Sequence, residues 1–187
     1  NGSAQGHISY RKNGGLSDQE DWYKVNVNGD GNLQVSITTE NGNLVYFSLY
    51  DGDGTTQLQL SYLYGGSNSF TRNGLAAGTY YIRINGDPST YNTYSVSNTL
   101  IPATYANDAE SNDLFTQANT LNLGDTAKGH ISYRYNGGTY DTDDWYKVTT
   151  TQGGNLNIYI VGPRSDTGVE RSVHHMSGNR MLWVAMT

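Results

Sequence analysis

No cysteine occurs among the 187 residues, which excludes a disulfide framework and thiol chemistry while leaving the compartment open. No run of about 18 apolar residues exists, so no segment reads as a membrane-spanning helix. Charged residues are few, at 15%, and the net charge is -6. That sign argues against a nucleic-acid backbone as partner, because phosphate chains are bound with excess Lys and Arg. No stretch carries a convincing helical period. No Ser–His–Asp order, HExxH motif or paired-glutamate signature stands out, so no catalytic constellation is on offer. Methionine is missing before position 176. The chain opens on Asn1 with neither Met nor a signal peptide and reads as a piece of something longer.

What is present points to strands. Gly (23) and Tyr (16) are high, and aromatics reach 12%, which a disordered chain would not carry. QGHISYR, DWYKVNV, NLQVSIT, NLVYFSLY, QLQLSYLY, GTYYIRI and YNTYSVS alternate or hold β-branched and aromatic residues. Turn signals separate them: Asn28-Gly29-Asp30-Gly31, Asn41-Gly42, Asp51-Gly52-Asp53-Gly54, Gly65-Gly66 and Asn85-Gly86-Asp87-Pro88. Short strands at this spacing predict an all-β, antiparallel sandwich. Alternation places Leu33, Val35 and Ile37 on one face, Val45, Phe47 and Leu49 on one face, and Tyr80, Ile82 and Ile84 on one face.

One peptide occurs twice. GHISYRKNGGLSDQEDWYKV at 6–25 returns as GHISYRYNGGTYDTDDWYKV at 129–148, without a gap and with 15 of 20 positions identical. The spacing of 123 predicts two tandem copies of one domain rather than a solenoid. The expected organisation is a first copy at 1–98 lacking its opening segment, a linker at 99–106 and the N-terminal part of a second copy at 107–160. A divergent tail follows at 161–187. The echo ends after GNLNIYI at 154–160. All three methionines lie in the tail, with His174 and His175. The break reads as an out-of-frame or foreign ending, with a genuine divergent ending as the alternative; either predicts a truncated second copy whose residues 155–160 lack pairing partners.

Glu110-x-Asn112-Asp113, then Gly129-His130-Ile131, then Asp144-Trp145-Tyr146 resembles the bacterial pre-peptidase C-terminal domain. The later signposts stand in the first copy: Leu49 to Gly54, Ala77 to Ile84, and Tyr94-Ser95-Val96. The resemblance covers nearly all of 3–98 and 107–160. It implies a jelly-roll-like β-sandwich appended to secreted bacterial hydrolases and itself non-catalytic. It is similar to the collagen-binding modules of clostridial collagenases, some of which bind calcium.

The acidic cluster is the candidate site. Asp108, Glu110, Asn112 and Asp113 crowd the opening of the second copy, and Asp141, Asp143 and Asp144 precede Trp145. Carboxylates converging without Lys or Arg repel one another unless a cation neutralises them. Calcium takes six to eight hard oxygens in irregular geometry. The resemblance carries metal ligation onto Glu110, Asp141, Asp143 and Asp144; the plain reading of the same residues is a solvated acidic loop. In the first copy Asp18, Glu20 and Asp21 remain. Asp51-Gly-Asp53-Gly lacks the acidic residue an EF-hand needs and reads as a hairpin turn. His7 and His130 read as packing or hydrogen-bonding residues, and Trp22 and Trp145 as core anchors.

Two function classes follow. One is an accessory module of a secreted bacterial hydrolase, partnered with a neighbouring catalytic domain and an extracellular polymer (polysaccharide or fibrous protein). The other is a spacer or adhesin repeat on a bacterial cell surface. Exposed Tyr62, Tyr64 and Tyr91 could meet sugar or protein alike.

Overall fold

The computed structural model describes residues 2–10, 15, 17–131, 133–134, 140–161, 171–176 and 181–186, the last two segments as backbone only. No helix occurs among the described residues. The chain divides into unit 1, Asn1–Thr104 with Tyr133–Tyr140, and unit 2, Tyr105–Ser132 with Asp141–Thr187.

Unit 1 is built on two long strands, β3 (Gly31–Tyr50) and β4 (Gln57–Leu75), joined by the Asp51–Thr56 turn. Asp53 closes that turn by accepting the Thr55 and Thr56 amides at 2.8 Å each and the Thr56 hydroxyl at 2.6 Å. These bonds hold its carboxyl well below the usual range. The aspartate thus serves the hairpin that the sequence predicts.

Both long strands break register midway, between Thr39 and Leu44 on β3. Opposite the break, Gly65 and Gly66 take φ of 74° each, a region that L side chains rarely enter. Asn41-Gly42 and Gly65-Gly66 are therefore bulges that bend one continuous hairpin, not turns between separate strands. The bend lets the hairpin serve two layers. Residues 31–39 of β3 pair with β6 (Asn92–Pro102), which pairs with β1 (Gly2–Ile8). Residues 45–50 of β3 pair with β5 (Gly78–Gly86), which pairs with β2 (Glu20–Val27). Every pairing in this sheet is antiparallel.

The core lies between the layers. Leu33, Val35 and Ile37 come from one half of β3, and Val45, Phe47 and Leu49 from the other; all are buried. Tyr80, Ile82 and Ile84 of β5, Val25 and Val27 of β2, and Val96 of β6 complete it. Phe47 stacks on Phe70 with ring centroids 5.2 Å apart. Each large apolar side chain buried here contributes about 1.5–3 kcal/mol.

The second half of β4, residues 67–75, does not read as a strand because Phe70 and Leu75 are its only large apolar residues. It is held by ladder bonds to β3, not by a sequence pattern. β6 runs on through Thr99–Pro102, residues that the sequence assigns to a linker. Pro102 ends that strand, where its missing amide costs nothing.

Trp22 corrects the expectation of a core anchor: it is 43% exposed. In β2 the alternation turns Tyr23, Val25 and Val27 inward, so Trp22, Lys24 and Asn26 face out. The Trp22 ring instead meets Tyr50 at 4.9 Å and the Arg83 guanidinium at 5.7 Å.

In unit 2, β8 (Asp144–Thr149) pairs in parallel with the short β7 (Asn119–Thr120) and antiparallel with β10 (Met181–Met186), which pairs with β9 (Arg171–Met176). The tail hairpin thus lies along β8 as β5 lies along β2. Residues 155–160 are in no strand, and Tyr159 is 87% exposed. Residues 162–170 and the side chains of His174 and His175 lie outside the described residues.

Candidate metal site

Within unit 2, β8 repeats the burial of β2. Asp144, Tyr146 and Val148 are buried, while Trp145 between them is half-buried against Phe115. The inward face of this strand therefore begins with a carboxylate. Trp145 donates its backbone amide to the Asn112 carbonyl at 3.1 Å, which brings the opening segment alongside.

That segment supplies the rest of the cluster. Asp108, Glu110 and Asp144 offer carboxylate oxygens within 4.8 Å of one another, and so do Glu110, Asp113 and Asp141. Glu110 belongs to both groups. Of the four residues expected to bind metal, Glu110, Asp141 and Asp144 converge. Asp143 lies in neither group; it accepts the Thr142 hydroxyl at 3.0 Å. Asp143 precedes β8 and is only partly buried, whereas Asp141 and Asp144 on either side of it are fully buried. Asp108 and Asp113 are ligand candidates beyond the expected four. The crowded opening segment signalled both, and only the fold singles them out.

The polar bonds are one-sided. Asp108 Oδ2 accepts from Tyr146 Oη at 2.5 Å, Asn112 Nδ2 at 2.8 Å and Asn119 Nδ2 at 3.1 Å. Asn107 donates to Glu110 at 2.7 Å and accepts the His130 amide at 2.9 Å. Yet Asp108 Oδ1, Asn112 Oδ1, Asp113 Oδ1, Asp141 Oδ1 and both oxygens of Asp144 are buried with no donor of good geometry. Asn112, Asp141 and Asp144 are each 0% exposed. Buried acceptors without donors are costly, on the order of 1–3 kcal/mol each and more when charged.

Protonation reflects the crowding. Burial, then the charges of Asp108, Asp141 and Glu110, push the Asp144 carboxyl up to about 8, against the side chain of Asn112. Burial and then Glu110 push Asp141 up to about 7. Among the described residues no Lys or Arg forms an ion pair with any of the five carboxylates. The donor set is all oxygen, which suits a hard divalent cation such as calcium and disfavours metals that seek nitrogen or sulfur.

The equivalent place in unit 1 is organised without such a cluster. Asp21 accepts the Tyr94 hydroxyl at 2.5 Å, and Tyr94 and Tyr23 share a 2.6 Å bond. Burial, then the Asp21 contact, raises the Tyr94 hydroxyl far above its ordinary value. Glu20 pairs with Arg83 at 2.5 Å. The glycine of the repeated GHI serves both places by staying small. A Cβ on Gly6 would collide with the Tyr94 hydroxyl and stand 3.0 Å from that of Tyr23. A Cβ on Gly129 would stand 3.1 Å from Asp108 Oδ1 and 3.3 Å from Asp144 Oδ2.

Among curated proteins, none matches the chain. Among solved structures, the pre-peptidase C-terminal domain of a Bacillus anthracis collagenase is 21% identical, with a TM-score of 0.44, covering 53% of this chain and 89% of its own. A carbohydrate-binding module of Cellvibrio mixtus lichenase 5A, in complex with cellotriose, is 17% identical, with a TM-score of 0.34, covering 54% of this chain and 88% of its own. A carbohydrate-binding module in complex with calcium and xylotriose is 14% identical, with a TM-score of 0.31, covering 51% of this chain and 99% of its own. Residues 19–86, all within unit 1, match the family model of the bacterial pre-peptidase C-terminal domain.

Proposed function

We propose that the chain is a non-catalytic accessory module of a secreted bacterial hydrolase, built from tandem copies, and that unit 2 holds calcium. The family match over 19–86 carries the accessory reading. The calcium reading is supported by carboxylates gathered around buried acceptors that lack a well-placed donor. Bound calcium would take Asp144 and Asp141 in their ionised forms and satisfy those acceptors together. It would fasten residues 108–113 to β8, ordering the opening segment of unit 2 on its own strand.

The polymer-facing surface is the outer face of β4, β3, β5 and β2. Leu60, Ser48, Arg83 and Trp22 lie side by side across these strands, next to a row of Tyr62, Tyr46, Asn85 and Glu20. Tyr62 is 56% exposed and Tyr64 66%. Exposed rings beside amides and a paired Arg and Glu can stack on and hydrogen-bond an extracellular polysaccharide or fibrous protein.

Calorimetric titration of calcium into the full chain tests the metal: heat is expected from the wild type and none from Asp144→Asn. Co-sedimentation with insoluble cellulose, xylan and collagen tests the face: one polymer should retain the wild type and release Trp22→Ala/Tyr62→Ala. Retention of neither by any polymer, beside intact calcium binding, would favour the second reading, a spacer or adhesin repeat. The repeat of GHISYR and DWYKV at a spacing of 123 supports that alternative.

A further inference from the structure

Arg134 belongs by sequence to the second GHISYR, yet it is built into unit 1. It is 7% exposed. Its Nε donates to Asp51 Oδ2 at 3.1 Å, and Asp51 is itself 0% exposed. Its backbone completes the rim: the Arg134 amide donates to the Gly74 carbonyl at 2.8 Å, and its carbonyl accepts the Ala76 amide at 3.0 Å. The Tyr80 hydroxyl reaches that carbonyl at 3.4 Å and the Ala76 carbonyl at 2.8 Å. Arg134 thus forms a parallel bridge to Leu75, at the very end of β4. Tyr140 lies against the guanidinium at 5.1 Å, and its hydroxyl accepts from Arg72 at 3.5 Å.

Every element of this contact is a form of peptide recognition. Two main-chain bonds extend a strand end, as in strand addition. One buried carboxylate then selects for an arginine, since a shorter or neutral residue would leave Asp51 desolvated without a cation. The peptide that supplies the arginine is the repeated one, and residues 6–11 carry the same GHISYR.

We propose that the rim formed by Asp51, Gly74, Ala76 and Tyr80 is a docking surface for the Tyr-Arg end of GHISYR, and that its partner is another copy of this repeat. In this chain Arg134, part of the second GHISYR by sequence and of unit 1 by packing, fills it. The motif therefore has two roles. Its Gly-His-Ile part packs against its own strand, as Gly6 does beside Tyr94, and its Tyr-Arg end is offered to a neighbour's rim.

The test uses a fluorescein-labelled peptide of residues 129–140 and the full chain carrying Arg134→Ala, which empties the side-chain pocket at Asp51 and leaves the two main-chain bonds open to exchange with the peptide. Fluorescence anisotropy should report saturable binding to Arg134→Ala. Binding should be at least tenfold weaker to the wild type, whose rim is filled, and to Asp51→Asn/Arg134→Ala. A peptide with alanine in place of its arginine should bind at least tenfold more weakly. No binding to folded Arg134→Ala, or equal binding to all three proteins, would overturn the proposal. If Arg134→Ala does not fold, hydrogen exchange on the unaltered chain decides. The Ala76 and Arg134 amides should be protected in step with β5, and exchange at the rate of an unstructured peptide would overturn it.

Discussion

Asp21 and Asp144 stand at the same place in a repeated peptide and lead different lives. Each opens the inward face of a strand, two residues before a Tyr and four before a Val. In unit 1 the facing strand β6 brings the Tyr94 hydroxyl, and one donor ties off the carboxylate. In unit 2 the opening segment brings Asp108 and Glu110, and burial with these like charges outweighs the side chain of Asn112. A local peptide fixes where a side chain points; its chemistry is set by what the rest of the fold places opposite.

The largest effect should come from the residue that distinguishes the two places. Asp144→Asn should weaken calcium binding on the order of 100-fold or abolish it, since even outer-shell partners of metals are worth about 10–100-fold. Asp143→Ala should bind as the wild type does, and calorimetry on both variants separates the clustered aspartate from its neighbour outside both groups. A reversed ranking would place the cation at Asp143 and away from Asp144.

Removing the cation should expose the cost of the cluster. Asp141 and Asp144 rise to about 7 and about 8 in the folded chain, above their ordinary value of 3.8. The folded state then binds more protons than the unfolded state between about pH 4 and pH 8, so stability falls as pH rises through that window. In chelator, exchange at the Tyr146 and Val148 amides should report a unit 2 that opens more readily at pH 8 than at pH 5. Saturating calcium should remove the difference.

Gly6→Ala drives a methyl group into the Tyr94 hydroxyl and should cost about 1–3 kcal/mol of unit 1 stability, the usual scale for overpacking. Gly129→Ala faces looser contacts of 3.1–3.3 Å, and its effect should appear in calcium affinity more than in urea unfolding. Tyr94→Phe leaves Asp21 without its hydroxyl donor and should cost about 1–2 kcal/mol by urea titration. Trp22→Ala should change stability least, within about 0.5–1 kcal/mol, because the ring is on the outer face. A loss near that of a core residue would mean that its contact with Arg83 and Tyr50 matters more than exposure indicates.

The strands, the inward faces of β3 and β5, and the acidic crowding of unit 2 were legible in the sequence because period-two alternation and composition are local properties. Leu33, Val35, Ile37, Val45, Phe47 and Leu49 are buried as that alternation demands. Gly65-Gly66 shows the limit of such reading. The same two residues signal a turn or a bend, and only the pairing of β3 with two different partners makes them a bend. The outer half of β4 was illegible because ladder bonds, not apolar side chains, hold it. Trp22 was misplaced because large aromatic rings are used on both faces of a sheet.

The sequence by itself determined an all-β chain, a repeated peptide and an excess of carboxylates that must be neutralised or kept apart. Tertiary structure alone decided which carboxylates meet. It set Asp108 beside Asp144 and Asp113 beside Asp141, left Asp143 outside both groups, and gave Arg134 to Asp51 across 83 positions of chain. The reason is physical: periodicity is read over a few residues, whereas a charge or a hydrogen bond acts through space, between groups whose separation along the chain says nothing of their distance.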